Sequence, residues 1–211
     1  MNYKAYQNCK FDKAYAQAQT RMHVADNKLR AGDIETCSVG CMFEGYNHEL
    51  SEAYYGIDER CTYALDAIYE GLPTKAESDQ FHIDYYAAIP IGGDTKQAWH
   101  NFMSQLMLDT VHGMIVYDKS GLSQAVGLLH LRAARGDIPK SDEWEKAVAR
   151  EATWETARAA RAAIAVNSAA WVAESLKWAA WVAARAKAVA GARKKHYQWQ
   201  RDTLLQCLRD C

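Results

Sequence analysis

Apolar residues recur along most of this chain at the three- and four-residue steps of a helix, and hardly anywhere at the two-residue step of a half-buried strand. In the opening segment Tyr15, Ala18, Met22, Ala25 and Leu29 form one such stripe, which predicts a single helix stopped by Gly32. Residues 33–47 have no sustained period and read as a long loop containing Gly40 and Gly45. Helical signals resume at His48 and run to Tyr55, where Gly56 ends them. Asp58 then caps a helix with Cys61, Leu65, Ile68 and Leu72 on one face, ended by Gly71 and Pro73. Thr74 caps the next, through Phe81, Tyr85 and Ala88 to Pro90. Asp94 caps another, with Ala98, Phe102 and Leu106 inward, and one more follows Ser120 with Val126, Leu129 and Ala133 inward. Only Met114–Tyr117 reads as strand, and one strand builds no sheet.

From Lys140 to Ala190 there is neither glycine nor proline, and alanine, the best helix former, dominates. One helix of that length would extend on the order of 75 Å; a break at Asn167-Ser168 would fold it into a hairpin. Trp154, Trp171 and Trp178 lie on its bulky stripe, so the tail is expected to be buried against the rest of the chain or a second copy. The pattern thus predicts an all-α protein: a helical domain at 1–135, and an Ala/Trp-rich segment at 140–211 packed on it.

Composition changes this picture little. No uncharged apolar run is long enough to span a membrane, the N-terminus lacks a signal-peptide core, and six scattered cysteines suggest reduced thiols in a cytosol. Charge changes it more. The formal total is −1, yet residues 1–32 carry +4, residues 33–94 carry −11, and residues 95–211 carry +6. An acidic block of this size can steer a basic partner, and Glu44, Glu49, Glu52, Asp58 and Glu59 are its candidate binding residues. Between Glu174 and Asp202 there are basic residues, Lys194, Lys195 and Arg201 among them, and no acidic ones; this gives a nucleic-acid reading that ranks third.

Candidate chemistry gathers at Cys37-Ser-Val-Gly-Cys41 with His48 seven positions on. Thiolate and imidazole are zinc's preferred ligands, and His23 or Cys61 could complete a set with Cys37, Cys41 and His48. Alternatively, Cys41 is a nucleophile with His48 as its base, Gly40 admitting backbone amides as an oxyanion site. The third reading is that the cysteines are simply packed in a tight loop, as small hydrophobes. No phosphate-loop, zincin or nucleophile-elbow motif is present to argue for an enzyme.

The order Cys-Ser-Val-Gly-Cys, His48, Tyr55-Gly56-Ile57, Ala64-Leu65-Asp66 and Ile68-Tyr69-Glu70-Gly71-Leu72-Pro73 resembles an uncharacterised bacterial and phage family. That family carries a GCSVGC segment, a histidine, an LGIP…LED.IFEGL stretch and an Ala/Ser/Trp-rich tail. His23 and Asp26 also match its upstream His and Asp, and the likeness covers roughly residues 20–110 plus the tail's composition. Asp58 in place of a proline, and Cys61, depart from the pattern; the second weakens Cys61 as a ligand. The resemblance implies a phage or bacterial setting and no reaction. The expectation is therefore a small cytoplasmic interaction or ligand-binding protein, in the host cytosol if phage-encoded, with a counter-defence role among its options. Its partner would be a host or defence protein, or a small ligand, and it would need no cofactor; the alternative is a Cys/His-centred enzyme or zinc-dependent module.

Overall fold

The computed structural model describes residues 4–33, 35–43, 45, 47–118, 121–149 and 190–211. Among them are eight α-helices and no strand. We number the helices α1 (Lys13–Ala25), α2 (Leu50–Tyr55), α3 (Glu59–Gly71), α4 (Lys75–Ala88), α5 (Thr95–Leu108), α6 (Leu122–Ala134), α7 (Ser141–Ala149) and α8 (Ala190–Arg209). Internal contacts divide the chain into Met1–Lys96 with Gln200–Cys211, and Gln97–Trp199. The division falls inside α5, and the last turns of α8 belong with the first unit. The expectations for Trp154, Trp171, Trp178 and the Asn167-Ser168 break lie outside the described residues.

In the first unit α1 packs on α4, α4 on α3, and α3 on α2. The caps are those the sequence encodes. The Asp58 carboxylate accepts from the Arg60 amide and opens α3, and the Thr74 hydroxyl accepts from the Glu77 amide and opens α4. Each such cap contributes about 1 kcal/mol. Gly56 ends α2 at φ +68°, and a Cβ there would run into the Lys4 carbonyl, so only glycine fits. Leu65, Ile68, Phe81, Tyr85, Tyr86 and Ile89 are fully buried and make the core, each contributing about 1.5–3 kcal/mol. A strap at residues 4–11 is stitched to this core through the backbone: Ala5 to Gly93 and back from Gly92, Tyr6 to Tyr55, and Phe11 to Tyr54.

α1 does not present the face its apolar stripe predicts. Tyr15 and Met22 are each 40% exposed, and the residues turned inward are Ala16, Thr20 and His23. Small and hydrogen-bonded groups let α1 lie close on α4, and Thr20 satisfies its own hydroxyl by donating to the Gln17 carbonyl. The helix ends at Ala25, with Asn27 left-handed at φ +53°, so Leu29 reaches the core from outside it. Met114–Val116 is a 3-10 turn, not a strand. Its β-branched composition favoured extended backbone, but no neighbouring strand is there to pair with it among the described residues.

In the second unit Trp99, Phe102 and Met103 are fully buried on α5, and α6 packs on α7. A Cβ at Gly127 would press on the side chains of Leu108 and Met107, so glycine is what lets α6 approach α5 so closely. Arg132 on α6 pairs with Asp137 and Glu143, fixing the turn into α7.

Candidate functional site

The cysteine segment is not an open loop. The Cys37 amide donates to the Asp33 carbonyl, Cys41 to Cys37, and Met42 and Phe43 to Val39, so residues 35–43 wind as successive turns. Thr36 accepts from the Arg30 amide, and Glu70 from the Gly32 amide, tying the segment down on both sides. Ser38 and Val39 are fully buried, Cys37 is 2% exposed, and Cys41 is half-buried. The segment is held in place by these polar anchors.

The chief anchor is Asp66 on α3, whose carboxylate accepts from Ser38 Oγ at 3.0 Å. Burial and the negative charge of Asp66 push the Cys37 thiol up to about 12. Cys37 Sγ instead accepts from the Gly40 amide at 3.3 Å, which occupies the donor predicted for an oxyanion site. Cys41 is also held above the ordinary thiol range, first by burial and then by Asp33, with Lys28 opposing. A thiol shifted this way is a poor nucleophile at neutral pH, since attack needs the thiolate. The charges that bear on Cys41 are Lys28 and Asp33, so the predicted Cys41–His48 couple is not what sets its ionisation.

His48 lies 2% exposed, stacked on Tyr63 at 3.7 Å between ring centroids and an interplanar angle of 1°. Burial lowers it to about 4 against the pull of Asp66, leaving it neutral at pH 7 and too weak to serve as a base. His23, 6% exposed on α1, is likewise lowered by burial and by Lys28. Its ring is 6.4 Å from that of His82, which is fully buried on α4 with neither nitrogen hydrogen-bonded among the described residues. Burial takes His82 down to about 3. Among the described residues no group of three or more His, Cys, Asp or Glu is placed to hold a metal ion. Cys37, Cys41, His48 and His23 therefore do not converge as a zinc site; each is committed to its own packing or hydrogen bond. Cys61, the alternative fourth ligand, is buried and donates to the Thr95 carbonyl at 3.3 Å.

The acidic residues divide by role. Asp58 is 3% exposed and receives both arms of the Arg60 guanidinium, at 2.7 and 2.9 Å, so it is structural. Glu49 and Glu52 on the approach to and within α2, and Glu59 at the start of α3, crowd one region. The Glu59 carboxyl is raised by partial burial, then by Asp58, Glu52 and Glu49. Glu44 lies outside the described residues. Among the C-terminal cations Lys194 and Lys195 are exposed, while Arg201 pairs with Asp202 at 2.8 Å. Tyr197 is buried, and Trp199 packs between His112 and His196 at 5.2 and 5.4 Å, so neither ring forms an open stacking platform.

Four polar residues of note escaped the pattern: Asp66, His82, and the pair His100 on α5 and His130 on α6, whose Nδ1 atoms are 2.9 Å apart. His130 falls one helical turn after Val126 on the buried face of α6. A histidine in register with core residues was the one available signal.

No helix among the described residues is long and apolar enough to cross a membrane. Comparison with protein-family models, with curated proteins and with solved structures gives no match. The resemblance to the bacterial and phage family accordingly rests on its motif alone.

Proposed function

We propose that this chain is a non-catalytic interaction protein that docks a basic partner on the acidic face formed by Glu49, Glu52 and Glu59. The observation that carries the reading is at Glu59, whose carboxyl is raised first by partial burial and then by the negative charges of Asp58, Glu52 and Glu49. A carboxylate held among like charges is costly to ionise, and an incoming cation relieves that cost. The cysteine segment supports the same reading from the other side. Its thiols are protonated and its nearest imidazole is a weak base, so it serves as scaffold under α2 and α3. The resemblance adds the setting: a phage or mobile-element protein in the host cytosol, engaging a basic host or defence component.

A fluorescent Lys/Arg-rich peptide titrated into the chain tests this. The wild type should bind it with an affinity that falls as salt rises. Combined Glu49→Gln, Glu52→Gln and Glu59→Gln should weaken binding at least about tenfold, corresponding to 1.4 kcal/mol, while Cys41→Ser should not. Unchanged affinity in the triple variant, or loss in a folded Cys41→Ser protein, would reverse the assignment.

A further inference from the structure

Where the strap crosses α2, two aromatic rings build a corner. Phe11 and Tyr54 meet at 5.3 Å between ring centroids, with their planes 86° apart. The ammonium of Lys10 stands over both, 4.0 Å from the Tyr54 centroid and 5.0 Å from that of Phe11. Two perpendicular ring faces thus converge on one point, and a cation of the chain itself marks it. The face of an aromatic ring is the negative side of its quadrupole, so the corner attracts positive charge from two directions.

The walls of the corner are held by the fold. The Phe11 amide donates to the Tyr54 carbonyl at 2.8 Å and the Lys10 amide to that of Ala53 at 3.0 Å, which fastens the strap to α2. Tyr15 stacks on Phe11 at 4.2 Å and 12°, and Phe43 and Tyr55 pack on Tyr54 at 5.9 and 6.3 Å. Tyr54 is 8% exposed, Phe11 is half-buried and Lys10 is exposed, so the corner lies at the surface under the Lys10 side chain. Rings fixed in advance are not ordered at the expense of a ligand's affinity.

The chemistry of the cation decides what such a corner prefers. A primary ammonium is a compact, strongly hydrated charge whose donors need water or oxygen acceptors, which a ring face does not supply. A quaternary ammonium has no donor to satisfy, spreads its charge over methyl groups and packs those methyls on the rings. A free primary amine therefore offers nothing that the tethered Lys10 does not, and exchange favours the quaternary group. We propose that Phe11 and Tyr54 form a binding site for the trimethylammonium end of a small solute of the choline class. Lys10 is the built-in competitor, and it swings aside when the solute enters.

Proton NMR titration of the full chain with choline tests this. The choline methyl signal should move upfield as it enters the ring currents of Phe11 and Tyr54. Its uncharged tert-butyl isostere, which has the same shape and hydroxyl, should bind at least about fivefold more weakly. Lys10→Ala uncovers the rings and should tighten choline binding at least about threefold. In that background Phe11→Leu, and independently Tyr54→Leu, should weaken it at least about fivefold, with melting curves confirming the fold. Absence of choline binding to Lys10→Ala overturns the site, as does an affinity that both folded ring variants leave unchanged. Equal binding of the isostere shows an apolar contact without cation recognition and overturns the ligand class. Choline affinity unchanged or weakened by Lys10→Ala overturns the role of Lys10 as competitor and places the solute elsewhere.

Discussion

His82 gives the sharpest test of how this core is held. Its ring is fully buried between the edges of Tyr69 and Tyr86, with neither nitrogen hydrogen-bonded among the described residues. Leaving a buried polar group unsatisfied costs about 1–3 kcal/mol, so an apolar side chain that fills the space should be tolerated or stabilising. Methionine is flexible enough to do so, and His82→Met should be neutral to about 2 kcal/mol more stable at pH 7.5. Acid sharpens the contrast. The folded value of about 3 lies below the ordinary 6.5, so the unfolded chain takes up the proton first as pH falls. Stability attributable to a neutral His82 is thus fully present above pH 6.5 and is lost on acidification toward the folded value. One proton costs about 1.36 kcal/mol per pH unit, and between pH 7.5 and 4.5 the wild type should lose about 2–3 kcal/mol that His82→Met does not. Urea unfolding of both proteins at pH 7.5 and 4.5 measures the difference. Parallel losses would show that His82 is protonated in the native state or that its burial is relieved, and the reasoning would fail. A destabilisation above about 2 kcal/mol at pH 7.5 would show instead that the ring makes a strong internal bond.

Other outcomes follow from single contacts. Gly56→Ala should destabilise by at least about 2 kcal/mol in the same assay, since it combines a left-handed backbone with a clash on the Lys4 carbonyl; a loss below 1 kcal/mol would mean that the strap moves aside freely. Asp58→Ala removes the carboxylate that accepts both hydrogen bonds from Arg60 and the cap of α3, for an expected loss of at least about 2 kcal/mol in denaturant unfolding. Trp99→Ala should cost about 3–5 kcal/mol, Trp99 being the largest fully buried side chain among the described residues. Iodoacetamide at pH 7 should label native Cys37, Cys61 and Cys207 only on unfolding, and Cys41 more slowly than a free thiol, because burial raises all four; rapid labelling of Cys41 would restore it as a nucleophile.

What the sequence made legible was local. Asp58 and Thr74 act through groups within a few residues of themselves, and Gly56 through its own left-handed backbone, so these could be read from the string, whereas the Lys4 carbonyl against Gly56 could not. The inward faces of α3 and α6 were legible because Leu65, Ile68, Val126 and Ala133 are both apolar and periodic. α1 was misread because its inward face is Ala16, Thr20 and His23, chosen for close approach to α4 rather than for hydrophobicity. At the candidate site, the cysteine segment was found but its partner Asp66, 28 residues away from Ser38, was not. His100 and His130 meet across 30 residues, and no local period reports a contact of that kind. Of the acidic candidates, only the structure separates Asp58, consumed by Arg60, from Glu49, Glu52 and Glu59.

The strap at residues 4–11 also sets an order of events. Neighbouring helices such as α3 and α4 are joined by a short turn and can associate as soon as both are made. The Ala5–Gly93 and Ala5–Gly92 bonds, by contrast, close a loop of nearly the whole first unit, and contacts of such long range are the slow ones. A growing chain must therefore carry Ala5 unpaired until Gly93 has left the ribosome, although Tyr6 and Phe11 can already pair with Tyr55 and Tyr54 once α2 is made. The seam that finishes the fold is thus the stretch of chain that waits longest for its place in it.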